Sequence, residues 1–257
     1  MTSDPSPRPR PWPLRQGLHP LITKLEHGTS LTEADRVLLS GITAQSRVIG
    51  PHCDLIREGE RPENVFLITA GLACRYKVLS NGSRQILALL LSGDLCDLNV
   101  ALLGAMDHSI GTLSPCLVAE VSRATVAELS TNHPRILQGL LWSTLVDLAT
   151  CREWLLSLGQ RPADQRIAHL FCELLLRLQL VGCADGNSFD LPLTQGELGD
   201  VLGISNVHVN RVLQDLRKRN LIVFRGGRLE ILDVEALQLA CDFNPNYRHL
   251  TPRQARE

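Results

Sequence analysis

The stretch from Leu193 to Leu216, LTQGELGDVLGISNVHVNRVLQDL, restricts the fold of this chain more than any other. The Thr194 hydroxyl can accept from the backbone at a helix start, and Glu197 follows at the spacing of its reciprocal partner, so a first helix is expected over Gln195 to Leu202. Gly203 can take the left-handed conformation of a tight corner, and Gly199 leaves room for a second helix to cross close by. Leu198, Leu202, Ile204, Val209 and Val212 then fill the wedge between the two helices. Together these features make a helix-turn-helix, whereas a purely structural helical hairpin would share only the apolar positions.

The second helix has two unlike faces. Val209, Val212, Leu213 and Leu216 recur at helical spacing and can sink into a core, while Val207 points the other way with Arg211, Gln214 and Lys218. The second helix of such a motif lies in the DNA major groove, with its N-terminal outward residues at base edges. There Val207 would meet a thymine methyl group, Arg211 would fork to guanine, and Asn210 or Gln214 would pair with adenine. His208 is open to two roles, a phosphate or base contact and a cap on the packing against the first helix. Thr194, Gln195, Ser205 and Asn206 complete the expected DNA-facing set of the motif.

Downstream, LIVFRGGRLEIL supplies two short strands around Gly226-Gly227, a hairpin like the wing of winged-helix domains. Arg225 and Arg228 flank its tip, where they would touch phosphate. DVEALQLACDF is expected as a closing helix capped by Asp233. Between residues 194 and 228, Arg211, Arg217, Lys218, Arg219, Arg225 and Arg228 outnumber Glu197, Asp200 and Asp215, so a near-neutral chain of net charge −1 conceals a basic face. Arg217 to Arg219 also suit a solvated helix end favoured by the helix dipole.

With 257 residues there is enough chain for two modest cores. No apolar run of about 18 residues exists to cross a bilayer, and MTSDPSPRPRPWP lacks the apolar block of a secretory signal, so a cytoplasmic protein with no membrane partner is expected. Residues 1–19 read as a flexible Pro/Arg-rich tail whose arginines could touch nucleic acid or another partner. The eight cysteines, at positions 53, 74, 96, 116, 151, 172, 183 and 241, are scattered without a C-x-x-C pair, so they read as reduced thiols and not as metal ligands. No nucleophile elbow, phosphate loop or carboxylate pair is present, and an enzyme is not expected. Cys183, in the polar loop before the helix-turn-helix unit, is placed for redox sensing but has no basic neighbour to lower its pKa.

Upstream, LTEADRVLLSGI reads as a short helix with Thr32 and Asp35 at capping-box spacing. From Val48 to Ser122, short apolar runs such as NVFLI, ACRYKVL and RQILALLL alternate with turn signals at Gly59, Gly71, Asn81-Gly82 and Gly93-Asp94, the texture of a β-barrel or jelly roll. Beyond His133-Pro134 the period becomes helical. Leu137, Leu141, Thr144, Leu148, Cys151, Leu155 and Leu158 form a seam that suits either packing on the barrel or homodimerisation. Thr144 would bridge polar groups in that seam or merely be tolerated. Gly159 to Pro162 breaks the helix, and ADQRIAHLFCELLLRLQLVG begins another that ends at Gly182. The fold class is α+β: a barrel domain over 20–133, a long helix over 134–160, a winged helix-turn-helix domain over 161–245 and a C-terminal tail over 246–257.

In this order of parts, and in the stretches IREGERPENVFLITAGLA, LSGDLCDLNVALLG and LTQGELGDVLGISNVHVNRVLQDLRKRNLI, the chain resembles the Crp/Fnr family of bacterial transcription regulators over roughly residues 20–245. The resemblance implies a cyclic-nucleotide-binding-like jelly roll and a homodimer joined through the long helix. It further implies a palindromic promoter site in double-stranded DNA, with half-sites about one turn apart, and contact with RNA polymerase. Effector-pocket candidates are Gly93, Asp94, Leu98, His108 and Ser109. Members that bind cyclic AMP hold its ribose with a glutamate and its phosphate with an arginine; Leu98 and His108-Ser109 stand near those places here, so cyclic AMP is not expected. Oxygen-sensing members carry an N-terminal cysteine cluster for an iron–sulfur centre, and no cysteine precedes Cys53. Cys96 invites comparison with haem-bearing relatives, but Asn99 follows where a histidine would help, and a structural thiol is the reading preferred. No cofactor is expected. Many members place a glutamate where Val207 stands, so the operator should differ at the base pair that glutamate reads. A FixK-like branch, with the barrel as a scaffold, is one outcome; a barrel that senses a small molecule, haem or redox signal is the other.

Overall fold

The computed structural model describes residues 19–98 and 104–250. The Pro/Arg-rich segment before residue 19, Asn99 and the chain after residue 250 lie outside the described residues.

Two antiparallel four-stranded sheets face each other in the N-terminal half. One has the order β1 (Ser46–Ile49), β8 (Cys116–Ser122), β3 (Asn64–Ala70), β6 (Leu95–Cys96), and the other β2 (Asp54–Ile56), β7 (Ser109–Thr112), β4 (Ala73–Val78), β5 (Arg84–Leu90). The alternation of short apolar runs with glycine turns produces this pair because each strand must bury one face against the opposite sheet. Ile56, Phe66, Ile68, Leu90, Ile110 and Val118 fill the space between the sheets. Strand β3 is almost continuously apolar since its second face is covered too. Leu67 of β3 and Ala119 of β8 pack there under α1 (Pro20–Leu25) and α2 (Glu33–Thr43), together with Leu25, Leu39, Ile136 and Leu140. The expected Thr32–Asp35 capping box starts α2.

Helix α3 (Arg123–Asn132) then leads into α4 (Pro134–Gln160), whose 27 residues span about 40 Å. Its buried face carries Ile136, Gly139, Leu140, Ser143, Val146, Ala149 and Trp154. Pro162 ends it, and α5 (Ala163–Leu180) turns back.

The C-terminal unit adds α6 (Gln195–Leu202), α7 (Asn206–Lys218), α8 (Val234–Ala240) and a three-stranded sheet in the order β10 (Ile222–Arg225), β11 (Arg228–Ile231), β9 (Ser188–Asp190). The two halves do not keep separate cores. A single buried cluster runs from Leu72, Leu89 and Leu91 of the barrel through Trp154, Phe171 and Leu174 to Leu198, Val209 and Leu213. Beyond α8, Pro245–Arg248 forms one turn of 3₁₀-helix with Tyr247 and Arg248 buried, so the expected C-terminal tail is packed where it begins. No described helix is long and apolar enough to cross a membrane.

Candidate nucleic-acid interface

Local chemistry sets the corner between α6 and α7. Thr194 and Glu197 satisfy each other's backbone donors at the start of α6. At its end Gly203 adopts φ 64° and ψ 37°, the left-handed region that a residue with a side chain avoids. A Cβ added at Gly199 would lie 2.6 Å from the Ile204 carbonyl oxygen, which shows how closely the corner passes over α6. Ser205 caps α7 by accepting from the His208 amide at 3.4 Å.

Helix α7 buries Val209, Val212, Leu213 and Leu216. Its opposite side is open: Val207 is 81% exposed, and Arg211, Gln214 and Lys218 are exposed beside it. Asn210 and His208 are half-buried, and the Arg211 guanidinium lies 3.1 Å from the His208 ring one turn earlier on the same helix. Asn206 leans toward Gly196 and Gly199 of α6. Thr194, Gln195 and Ser205 are exposed on the same motif. Of the local acids, Glu197 is buried in the cap, Asp200 is turned to Arg84 at 2.8 Å, and Asp215 stays exposed on α7 with Arg219 at 3.5 Å.

At the wing, Arg225 and Arg228 face each other across the β10–β11 pair. Arg225 is exposed. Arg228 is exposed too, and its guanidinium donates to Asp190 at 3.2 Å and to Ser188 at 2.6 Å, with Asp185 at 3.6 Å, so it shares its charge with strand β9 and the loop before it. Arg217 is also committed, donating to the Phe224 carbonyl at 2.9 Å and so tying α7 to β10.

Along α4 the seam residues divide. Leu141, Leu148, Cys151 and Leu155 are exposed, whereas Leu137, Thr144 and Leu158 are half-buried. Thr144 hydrogen-bonds the Leu140 carbonyl within its own helix, which explains how a hydroxyl is tolerated there. Leu145, missed because it falls between seam positions, is 62% exposed and widens the apolar stripe.

The effector-pocket candidates are scattered in role. Gly93 is at φ 91°, and a Cβ there would meet the Pro20 backbone at 2.8 Å. Asp94 is an internal counter-ion: it accepts from Lys24 of α1 and Arg177 of α5, each at 2.7 Å, and from the Leu91 amide. Burial by itself would raise its pKa, but the two cations outweigh that and hold the carboxyl well below the usual range. Leu98 is half-buried beside Asp97. His108 is bracketed by Asp97 at 2.8 Å and Asp107 at 2.7 Å; burial disfavours its charge, yet these carboxylates raise its pKa overall. Ser109 accepts from the Glu58 amide. Cys96 is fully buried in the barrel core, where desolvation pushes its thiol pKa far up, and the eight cysteines are all free thiols. Burial also raises the Cys183 thiol, against a hydrogen bond to Ser92.

Sequence reading missed the groups that join the two halves. Arg177 also reaches Glu173 at 3.3 Å and the Leu89 carbonyl at 2.9 Å, and Glu173 accepts from the Trp154 indole and the Tyr247 hydroxyl. Gln85 donates to the Val201 carbonyl, and Arg166 to that of Leu202. The one available signal was Glu173 and Arg177, four residues apart inside the apolar run ELLLRLQL.

Comparison with known proteins bears on this architecture. Residues 46–133 match the cyclic nucleotide-binding domain, and residues 165–240 the Crp-like helix-turn-helix domain. The transcriptional activator protein FnrL of Cereibacter sphaeroides is 30% identical over 177 residues, 68% of this chain and 71% of that protein. The chain belongs to the Crp/Fnr family. Within it, the nitrogen fixation regulation protein FixK of Bradyrhizobium diazoefficiens is 27% identical over 179 residues, 68% of this chain and 74% of its own length. The structure of FixK2 from Bradyrhizobium japonicum shares the fold, with a TM-score of 0.69 at 24% identity, over 76% of this chain and 96% of that one. This Crp/Fnr protein is accordingly a DNA-binding transcription regulator and not an enzyme.

Proposed function

We propose that the protein acts as a homodimer joined along α4, each α7 reading one half of a palindromic promoter site in double-stranded DNA, and that it activates transcription through RNA polymerase. The observation that carries the dimer is the exposed stripe of Leu141, Leu145, Leu148 and Leu155 on a helix whose other face is buried. A stripe repeating at steps of four, three and seven is the seam of a two-helix coiled coil, and a second copy of the same helix covers it. The pair of helices then spaces two recognition helices about one DNA turn apart. Activation is supported by the name of the relative FnrL, a transcriptional activator.

Base reading falls to the open strip of α7. Val207 packs on a thymine methyl, Arg211 forks to guanine, and Asn210 or Gln214 pairs with adenine. Thr194, Gln195, Ser205 and Lys218 fit backbone contacts, and Arg225 a phosphate beside the wing. Cyclic AMP is not the effector in this reading: Leu98 offers a ribose hydroxyl no acceptor, and His108 is engaged by two carboxylates.

Selection of bound sequences from a random DNA pool tests the proposal. Recovery of a palindrome bound with steep salt dependence supports it, and Arg211→Ala is expected to cost about 1–3 kcal/mol and relax one position in each half-site. Binding that shows no preference over random duplex, or a protein that stays monomeric on its selected DNA, refutes it. A second reading, a regulator whose barrel takes a small effector, draws on a cleft of about 210 Å³ between the barrel and α4, lined among others by Arg75, Asp94, His108 and Trp154.

A further inference from the structure

Past α8 the chain turns back on the molecule. The Phe243 ring meets His169 of α5 edge-on, with centroids 5.0 Å apart, and a 3₁₀ turn follows over Pro245–Arg248. Asn244 starts that turn by accepting from the Asn246 amide at 3.0 Å, while Pro245 presets the backbone of its first residue. The turn then presents two buried side chains to different helices. Tyr247 stacks on His169 and donates its hydroxyl to Glu173 of α5 at 3.1 Å. Arg248 goes to α4, donating to the Thr150 hydroxyl at 2.9 Å.

Glu173 makes these contacts one assembly. It is fully buried, and a buried carboxylate is stable only when donors surround it. Tyr247 supplies one donor, Trp154 of α4 a second on the same oxygen at 3.0 Å, and Arg177 a third on the other oxygen at 3.3 Å. Where the contacts fall matters as much as their strength. Along the chain, α4 meets the winged helix-turn-helix unit only at Arg161-Pro162, where Arg161 is extended at φ −80° and ψ 138° and the helix stops. An extended residue at a helix end can absorb a rotation, as hinges do. Thr150 lies about 16 Å along α4 from that corner, so residues 243–248 add a second attachment well away from the first. Two separated attachments stop a rotation that one leaves free. Arg84 and Gln85 of β5 hold the α6 side of the unit separately.

We infer that residues 243–248 are a strap that fixes the angle of the winged helix-turn-helix unit on α4, with Tyr247 and Arg248 as positioning residues for DNA reading. Both side chains are buried and act through the helices they hold. A fixed angle sets where α7 stands relative to a second copy joined along α4, so the strap decides which half-site spacing the dimer accepts. That consequence rests on the palindrome reading above; the hold on the corner does not, and it is measured without DNA. A unit that keeps the reading angle only a tenth of the time binds DNA about tenfold more weakly.

The test compares the full-length protein with Tyr247→Phe, Arg248→Gln and the double variant Tyr247→Ala with Arg248→Ala. The corner is read by hydrogen exchange of the DNA-free protein at the Arg161 and Arg166 amides, which donate to the Ser157 and Pro162 carbonyls. Exchange there is expected to rise at least about fivefold in the double variant and less in the single ones, with α6 and α7 protected as before. On DNA selected for the native protein, the double variant binds about tenfold more weakly, and its penalty for adding or removing one base pair between half-sites shrinks at least about threefold. A segment that merely stabilised the DNA-binding unit would instead loosen α6 and α7 and weaken every spacing equally, and that result overturns the inference. So does unchanged exchange at Arg161 and Arg166 in all the variants. If the double variant fails to fold, Tyr247→Phe and Arg248→Gln, which each remove one contact, carry the same comparison. Should the native protein prefer no palindrome, the dimer reading fails and the exchange at the corner alone decides the strap.

Discussion

Replacing Asp94 by Asn removes one oxygen's charge from the point where three parts of the chain meet. The carboxylate joins Lys24 of α1 to Arg177 of α5 through the Gly93-Asp94 turn, and side-chain exposures of 7–9% leave little water to screen the change. Arg177 keeps Glu173 and the Leu89 carbonyl, but Lys24 retains only Asp147 at 3.9 Å, so lysine is the stranded charge. The amide also turns a donor toward a group that is already a donor. Breaking one side of a buried pair costs about 3–5 kcal/mol, and the surviving partners of Arg177 put Asp94→Asn near the lower end.

Urea unfolding at one protein concentration, at pH 7 and again at pH 3, measures both the size and its origin. The folded pKa of Asp94 is depressed, so its stabilisation is full above the unfolded value near about 3.9 and declines as pH falls from there toward the folded value. The gap between native protein and Asp94→Asn therefore narrows by about 1.4 kcal/mol per pH unit below that point. Asp215→Asn, at an exposed pair with Arg219, serves as control and is expected within about 0.5 kcal/mol of the native protein. A loss under about 1 kcal/mol at pH 7, or a gap that does not narrow in acid, would refute the account of Asp94 as the ionic centre of the assembly.

Three other changes follow from the geometry. Gly199→Val drives a side chain into the Ile204 carbonyl and should destabilise by about 1–3 kcal/mol in thermal unfolding, with DNA affinity falling alongside; an unchanged midpoint would contradict the close crossing of α6 and α7. Leu145→Glu together with Leu148→Glu should convert dimer to monomer in analytical ultracentrifugation without unfolding the barrel, since both leucines face solvent within one chain. Arg225→Ala should lower the salt dependence of DNA binding by about one phosphate contact, whereas Arg228→Ala should leave that slope unchanged and loosen the wing through Asp190 and Ser188. Equal slopes for the two variants would undo that distinction.

The helix-turn-helix was legible because its determinants are local. A capping box spans three residues, a left-handed glycine needs no partner, and a valine among polar residues on a helix face is visible from spacing alone. The barrel was legible for the same reason, through turn glycines and alternating runs. Helix α3 escaped because Leu129 is its one buried residue, leaving no apolar period to read. The pairing of Arg228 was not legible because its partners at Asp185, Ser188 and Asp190 lie some 40 positions earlier and become neighbours only when β9 joins the wing sheet.

Short-range chemistry in the chain thus settles most of the elements, their order, the exposed basic strip of α7 and much of the leucine seam, since each depends on residues within a turn or two of one another. Folding in three dimensions settles which charges are free. Arg75, Arg177 and Arg248 are ordinary basic residues in the sequence; long-range packing buries all three around one cleft, satisfies one and leaves two with donors to spare. The reason is physical: a charge's state depends on whatever surrounds it within a few ångströms, and those neighbours come from segments that sequence distance does not bring together.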